Sequence, residues 1–209
     1  VLTPADVGRW DEFVLALPHA TFFHRAGWKQ GIEKAFGHRC TFLFAEADGQ
    51  IQGVLPLAEV KSRLFGHSLV SLPFCVYAGI AAENDVAYAA LDKAAQDLAK
   101  QLAVEHLEYR TLEARHPDWQ HKELYFTFRK AIEPEVEANM LAIPRKQRAM
   151  VRKAIKFELE GVLDEGVERF FTAYSTSVHR LGTPVFSKKY FRILREVFGA
   201  DCEVLTIVR

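Results

Sequence analysis

One local order of residues occurs twice in this chain and restricts the folds that it can adopt. In both places an aromatic-rich helix ends at a Phe-Gly pair, Phe36-Gly37 or Phe198-Gly199, and a strand that contains a cysteine follows. Another helix precedes each aromatic helix, so the order helix, helix, strand is repeated. This self-similarity predicts an internally duplicated α/β unit. Because the chain ends at Arg209 within the last of these strands, we expect the second copy to be incomplete.

The hydrophobic pattern between the two copies predicts the remaining strands and helices. Asp48-Gly49 favours the positive φ values of a tight hairpin turn between two extended runs. Pro73 interrupts another pair of runs, and the acidic stretch 133–137 predicts the start of a short helix. The predicted strands are 40–45, 51–60, 67–72, 76–80, 106–110, 124–128 and 202–208, and the predicted helices are 4–17, 27–36, 85–103, 167–181 and 188–198.

The segment Ile143–Phe157 carries six cations and no acid. At about 100° per residue, the cations cover one side of a helix and the apolar residues cover the other. The apolar side can pack on a core while the cationic side binds an anion such as phosphate. A solvated surface helix is the alternative, although such a helix usually carries both signs of charge. The phosphate-binding candidates are Arg145, Lys146, Arg148, Arg152 and Lys153.

Composition limits the classes of protein to which the chain can belong. The 209 residues carry 27 Lys and Arg against 27 Asp and Glu, so no general affinity for nucleic acid or acidic membranes is implied. The charge is unevenly spread, at −5 over residues 1–140 and +5 over residues 141–209. Three distant cysteines without a CxxC pair are typical of reduced thiols in a cytosolic protein.

Targeting signals are not visible in the sequence. No signal peptide is visible in the 209 residues, and no apolar run reaches the roughly 18 residues that a membrane span needs. We therefore expect a cytoplasmic protein, either free or at the inner face of the membrane.

Six segments, in order along the whole chain, carry a resemblance to a known family. They resemble the FemAB-related proteins that accompany exosortase/PEP-CTERM systems, which belong to the GNAT-like FemAB superfamily. The resemblance implies a GNAT-like mixed sheet flanked by helices, followed by the start of a second GNAT-like domain. It also implies transfer of acyl or aminoacyl groups to amines, since better-known relatives add amino acids from aminoacyl-tRNA to cell-wall peptide precursors. The segments are FFHRAGWKQGIEKAFGHR, GVLPLAEVKSRLFG, VSLPFCVYAGI, ARHPDW, IPRKQRAMVRKAIK and RLGTPVFSKKYF.

This resemblance gives expected domain boundaries and an expected acyl donor. We expect the first domain over residues 1–131, a helical connection over 132–165 and the second domain from 166 to 209. Acetyl-coenzyme-A enzymes of this superfold hold pyrophosphate with a glycine-containing loop at a helix N-terminus. The equivalent turn here, AAENDVAY, contains no glycine. We therefore expect the first domain not to hold coenzyme A in the usual way, and the candidate donors are acyl-coenzyme A, acyl carrier protein and aminoacyl-tRNA.

The stretch Ser71–Gly79 is the first candidate for the reaction site. A proline in an extended run breaks the ladder and exposes backbone groups, and in this superfold the acyl donor lies in a splay between central strands. Tyr77 can hydrogen-bond a substrate or act as a general acid, with Phe74, Cys75 and Gly79 beside the substrate. Core packing of the two aromatic residues is the alternative. A nucleophilic Cys75 is disfavoured because no histidine is paired with it.

Two further groups of residues are candidates for substrate binding. Phe23, His24 and Trp28 form an aromatic-histidine cluster at a helix start, although hydrophobic stapling of that helix explains the aromatic residues equally well. His179 and Arg180 precede a turn at Gly182 and can face an anionic ligand. His116 and His121 have no partners at metal-ligand spacing, so no metal site is expected.

The leading interpretation is an N-acyltransferase or aminoacyltransferase that acts on an amine of a cell-envelope or exopolysaccharide precursor. Its partners would be an anionic small molecule or a carrier-linked substrate, with tRNA as one carrier. The alternative is a non-catalytic module that recognises tRNA, a polysaccharide or a partner protein.

Overall fold

The hairpin predicted at Asp48-Gly49 forms the framework of the sheet. Strand β1 (Arg39–Ala47) pairs antiparallel with strand β2 (Gln50–Ser62). Asp48 and Gly49 have φ values of 50° and 76°, the left-handed conformation that this tight turn requires. The predicted hairpin is confirmed. The structure, a computed structural model, describes residues 1–64, 66–122 and 124–209.

The sheet has mixed strand directions, as the sequence predicted. Strand β3 (Gly66–Val70) runs antiparallel to β2, and β5 (His106–Glu108) runs parallel to β3. The strand order is β1-β2-β3-β5, and the short β4 (Ala81–Ala82) pairs with β2 on the same edge as β3. Since β3 and β4 share one edge of β2, the chain between them must leave the sheet.

Helices cover both faces of this sheet. Helix α3 (Asp85–Gln101) packs Leu91 and Ala95 on the face formed by Leu55, Leu57 and Leu69. Successive strand residues point to opposite faces, so Phe42 of β1 lies on the other face. There Trp10 of helix α1 (Val7–Ala16) stacks on Phe42 with ring centres 5.5 Å apart. Helix α2 spans Gly27–Phe36, and short 3₁₀ turns precede both α1 and α2, at Pro4–Asp6 and Phe22–His24.

In the described part of the chain, the remaining elements are four helices and a two-stranded sheet. The helices are α4 (Val136–Ala142), α5 (Arg145–Lys156), α6 (Glu168–Arg180) and α7 (Lys188–Phe198). Strands β6 (Glu160–Leu163) and β7 (Leu205–Val208) pair antiparallel, and a 3₁₀ turn spans Gly199–Asp201.

Contacts divide the chain into two units. Unit 1 contains residues 1–115 and 189–202, and unit 2 contains residues 116–188 and 203–209. The mixed sheet lies in unit 1, while α4, α5, α6 and the β6–β7 pair lie in unit 2. The domain boundaries expected near residues 131 and 165 stay a prediction.

Two strands predicted from the sequence are wrong. Residues 76–80 contain bends and irregular backbone, because the chain has already left the ladder at Ser71. Residues 124–128 form no strand, and their large apolar side chains are exposed, with Phe128 at 93%. An apolar run forms a strand only when a neighbouring strand pairs with it.

The basic helix α5 begins and ends where the sequence predicted, but its expected burial is wrong. Met150 and Ile155 on its apolar side are each 64% exposed, and no residue of α5 is buried. The half-buried side includes Arg148, whose Nε and Nη2 donate to the carbonyl of Ile143 at 3.3 and 3.1 Å. Nη2 also donates to the carbonyl of Leu141 at 3.1 Å. Arg148 therefore caps the C-terminal end of α4, whose last carbonyls lack partners within the helix.

Candidate active site

The chain leaves the sheet between β3 and β4 and later returns to the same strand. Val70 lies opposite Ala58 of β2, and Ala81 lies opposite Val54. Between these two pairs β2 advances by four residues, from Ala58 to Val54, whereas the segment from Val70 to Ala81 advances by eleven. That segment therefore has seven more residues than β2 can pair with, and they project from the sheet edge. We call residues 71–80 the excursion. The ladder break predicted at the proline is confirmed.

The excursion contains an unusual backbone conformation. Leu72 and Phe74, which flank Pro73, have φ values of 54° and 66°. Neither residue is Gly or Asn, so each left-handed conformation costs about 1 kcal/mol or more and persists only if the surrounding structure holds it. Leu72 is fully buried, which fixes one of them. Such strain is concentrated at functional sites, and no glycine or asparagine marks these two positions in the sequence.

Arg110, two residues after the end of β5, holds the excursion in place. Its backbone N–H donates to Ser71 Oγ at 2.8 Å, and its carbonyl accepts from the Ala78 N–H at 3.1 Å. Its guanidinium donates to the Cys75 carbonyl at 3.1 Å and to the Glu108 carboxylate at 2.7 Å. One residue thus binds the beginning, middle and end of the excursion. Sequence reasoning missed Arg110, because no short-range pattern marks a contact about 35 residues away.

His24 fixes the same region from the other side. Its Nδ1 accepts from the Thr21 N–H at 3.0 Å, and its Nε2–H donates to the Gly79 carbonyl at 3.0 Å. These partners define the neutral tautomer protonated on Nε2. Burial lowers the pKa of His24 below its ordinary value, against the smaller opposing effect of its backbone hydrogen bonds. With both nitrogens engaged, His24 positions the Gly79 backbone and is a poor candidate for a base.

A cleft of about 400 Å³ lies beside the excursion in unit 1. It combines three of the predicted site residues with the first turn of α3 and with the chain that follows β5. Phenol, guanidinium and carboxylate groups all line it, so it can hold a polar ligand with both signs of charge. The predicted residues are Tyr77, His24 and Gly79, and the others used below are Tyr88, Glu83, Asp85, Arg110, Thr111, Glu113 and Arg115.

The first turn of α3 is already occupied by the protein's own side chains. The Asn84 side chain accepts from the Ala87 N–H at 2.9 Å and donates to Gln52 at 3.0 Å. Asp85 accepts from Arg115 at 2.9 Å, and the Arg115 guanidinium lies 4.4 Å from the centre of the Tyr88 ring. A capped helix end beside a carboxylate disfavours a phosphate there.

The predicted aromatic residues pack beside the cleft rather than line it. Trp28 is buried, and its indole N–H donates to the Phe22 carbonyl at 2.9 Å. Phe23 contacts Trp28 and meets the Tyr77 ring edge-on with centres 6.0 Å apart. Phe74 packs on Phe36 with ring centres 4.3 Å apart. These aromatic contacts stabilise the wall of the cleft that carries Tyr77.

Cys75 is a buried thiol in this structure. Burial raises its pKa to about 12, and nearby Arg110 lowers it only partly. A thiol with such a pKa carries almost no thiolate at neutral pH, so it is a poor nucleophile. Its carbonyl, which accepts from Arg110, is its contribution to the excursion.

The candidates in unit 2 form a separate group. His179 and Arg180 lie exposed at the end of α6, where Gly182 turns the chain at a φ of 71°. Arg180 lines a groove of about 700 Å³ between α6 and β7. On α5, Arg145, Lys146 and Arg152 are exposed, and the Lys153 ammonium lies 5.6 Å from the Phe157 ring centre.

The described part of the chain contains no group of three or more His, Cys, Asp and Glu side chains that could hold a metal ion. In the same residues, no helix is both long enough and apolar enough to cross a membrane.

Comparison with solved structures identifies the fold. A crystal structure of FemX matches 99% of this chain with a TM-score of 0.70 at 18% sequence identity. The chain has the fold of FemX. It spans 56% of the length of the FemX chain. No protein-family model and no curated protein matches the sequence. The FemX fold agrees with the mixed α/β architecture that the sequence predicted.

Gly79 is predicted to be essential for the wall of the cleft in this FemX-like fold. A Cβ at Gly79 would lie 2.3 Å from Thr111 Cγ2, while Thr111 Cβ would be at an ordinary 3.6 Å. Gly79→Ala should therefore lower the free energy of unfolding by about 1–3 kcal/mol. Adding Thr111→Ser, which removes only the obstructing methyl, should restore most of this loss. Denaturant unfolding of both single variants and the double variant measures the coupling, and simple additivity would contradict the predicted contact.

His24 should make stability depend on pH. Its pKa is lowered in the folded chain, whereas the unfolded group has the ordinary value near 6.5. Below that pH the unfolded chain binds a proton that the folded chain does not, so the free energy of unfolding falls as pH decreases. The limiting slope for one proton is about 1.4 kcal/mol per pH unit. The profile between pH 5 and 7 should be flatter for His24→Gln than for wild type, and superimposable slopes would refute this role.

Proposed function

We propose that this chain belongs to an N-acyltransferase or aminoacyltransferase of the FemAB-related kind that accompanies exosortase/PEP-CTERM systems. Its acceptor is an amine of a cell-envelope or exopolysaccharide precursor, met at the cytoplasmic face of the membrane. The observation that carries the proposal is the FemX fold over 99% of the chain, combined with a cleft at the point where the sheet edge opens. The six segments that resemble FemAB-related proteins support it independently.

The cleft presents hydrogen-bonding groups of a kind that acyl transfer to an amine requires. The reaction needs an oriented donor, a deprotonated amine, and N–H or O–H donors directed at the carbonyl oxygen as negative charge develops. The excursion brings backbone and the Tyr77 side chain to one wall of the cleft. In the proposal, the Tyr77 phenol donates to the reacting oxygen or to the leaving group. Phe23, Trp28 and Phe74 support it, while His24 fixes the backbone at Gly79.

The basic helix supplies the anion site of the proposal. Arg145, Lys146, Arg152 and Lys153 bind the phosphate of the donor or of a pyrophosphate-linked acceptor, and their exposure leaves them accessible. Arg148 has only its Nη1 group left for a ligand, because Nε and Nη2 donate to carbonyls. Arg180 adds a second polar surface at the groove beside β7, and the exposed His179 precedes it in α6. In this proposal the helix connects a first GNAT-like domain, residues 1–131, to a second one that starts at residue 166.

The first turn of α3 favours particular donors. Its cap is filled by Asn84, and Glu83 and Asp85 place negative charge where pyrophosphate would have to lie. Acyl carrier protein and aminoacyl-tRNA, whose phosphates can be bound elsewhere, are therefore preferred over coenzyme A held by unit 1. The same observation favours the second candidate function, a non-catalytic module in which unit 1 recognises tRNA, polysaccharide or a partner protein.

A transfer assay with the whole protein tests the proposal. Labelled aminoacyl-tRNA, acyl carrier protein and acyl-coenzyme A are each offered with an amine-bearing precursor, and labelled product is measured. Replacing four exposed cations of α5 by Ala should raise the KM for the phosphate-bearing substrate about tenfold or more, with an unchanged melting temperature. The four are Arg145, Lys146, Arg152 and Lys153.

Two controls make this assay specific. In the first control, four exposed cations outside α5 are replaced by Ala, and KM should stay unchanged. In the second, Arg148→Ala removes the side chain that caps α4, so amide exchange at Val136–Ala142 should accelerate. Transfer from none of the donors, with tRNA binding that weakens linearly in a log–log salt plot, would reject the enzyme and favour the binding module. The four control residues are Lys34, Lys61, Lys100 and Lys122.

A further inference from the structure

Unit 2 exposes a run of large apolar side chains that the proposed reaction does not use. We call residues 124–132, with the sequence LYFTFRKAI, the aromatic–basic segment. Tyr125, Phe126 and Phe128 are 85%, 80% and 93% exposed, and Ile132 is 85% exposed. The segment forms no helix or strand. Contiguous exposure of this kind marks an interaction surface, because isolated apolar residues are normal but clustered ones are not.

The same segment carries positive charge and no acid. Arg129 and Lys130 follow Phe128 directly, within a run that contains neither Asp nor Glu. Aromatic rings and adjacent cations are the combination that lies at a lipid–water interface, where the rings enter the headgroup layer and the cations meet lipid phosphates. Charge complementarity therefore favours an anionic lipid surface as the occupant.

Helix α5 repeats this chemistry in the same unit. Met150 and Phe157 are exposed, and on the helical wheel they lie beside the exposed cations Lys146 and Lys153. No acid occurs in α5. A helix that presents apolar and cationic side chains together to solvent binds an anionic bilayer in the interface plane, and each cation near the surface strengthens the binding.

A membrane surface explains features that a folded protein partner does not. A folded protein partner needs a complementary surface of fixed shape and a matching acidic rim, whereas the aromatic–basic segment has irregular backbone and large, highly exposed side chains. A fluid lipid surface accommodates such a segment without a fixed shape. We propose that unit 2 binds anionic lipid bilayers through the aromatic–basic segment and α5. Helix α5 also carries the phosphate site of the proposed function, whereas the aromatic–basic segment has no part in that function.

Vesicle flotation of the full chain, without any substrate, tests this proposal. Wild type should float with phosphatidylcholine vesicles that contain about one third phosphatidylglycerol, and not with phosphatidylcholine alone. Binding should weaken as NaCl rises from about 0.05 to 0.5 M. A variant with Tyr125→Ser, Phe126→Ser and Phe128→Ser should bind at least about tenfold more weakly, since the replaced rings are the predicted interfacial anchors.

The matched control is Leu15→Ser with Val86→Ser, which changes exposed apolar residues in unit 1. This control should bind like wild type. Absence of wild-type binding, equal binding to neutral vesicles, or unchanged binding of the triple variant would overturn the proposal. A different result would also overturn it: wild type sediments as a dimer and does not bind vesicles, and the triple substitution converts the dimer to a monomer. A second copy of the chain would then cover the segment. If the triple variant folds poorly, the dependence of wild-type binding on phosphatidylglycerol and on NaCl still tests the proposal.

Discussion

The hydrogen bonds of Arg110 are the interactions on which the candidate site depends. A seven-residue surplus on one edge of β2 has no partner in the sheet, and two of its residues adopt left-handed conformations that cost free energy. Arg110 binds this excursion at Ser71, Cys75 and Ala78, while His24 binds it at Gly79. Without these bonds the strained backbone would relax, and the wall that carries Tyr77 would not form.

Local signals made much of the fold predictable. The Asp48-Gly49 turn, the bounds of α2, α5 and α7, and the break at Pro73 each depend on residues close together in sequence, and all agree with the structure. The positive φ of Leu72 and Phe74 and the contacts of Arg110 were not predictable. They depend on residues distant in sequence, and no glycine or asparagine marks the strained positions.

The candidate site was predicted in part for the same reason. Tyr77, His24 and Gly79 do meet at one cleft, because the excursion and the turn before α2 are joined by the bond from His24. Phe74 and Trp28 instead pack beside it. In unit 2 a helical wheel gave the positions of the cations correctly, but it could not show that Arg148 caps α4 or that the apolar side of α5 is exposed. Those facts depend on what surrounds a helix, and periodicity carries no information about surroundings.

The proposed function requires that group transfer take place in the cleft whose wall the Arg110 guanidinium helps to hold through the Cys75 carbonyl. The turnover number of Arg110→Gln, which lacks that guanidinium bond, at saturating substrate is the decisive measurement, with amide exchange of the β1–β2 hairpin as the check on folding. We predict a turnover number at least about tenfold lower than wild type, faster exchange in residues 71–80 and unchanged exchange in the hairpin. A wild-type turnover number despite a loosened excursion would contradict the claim.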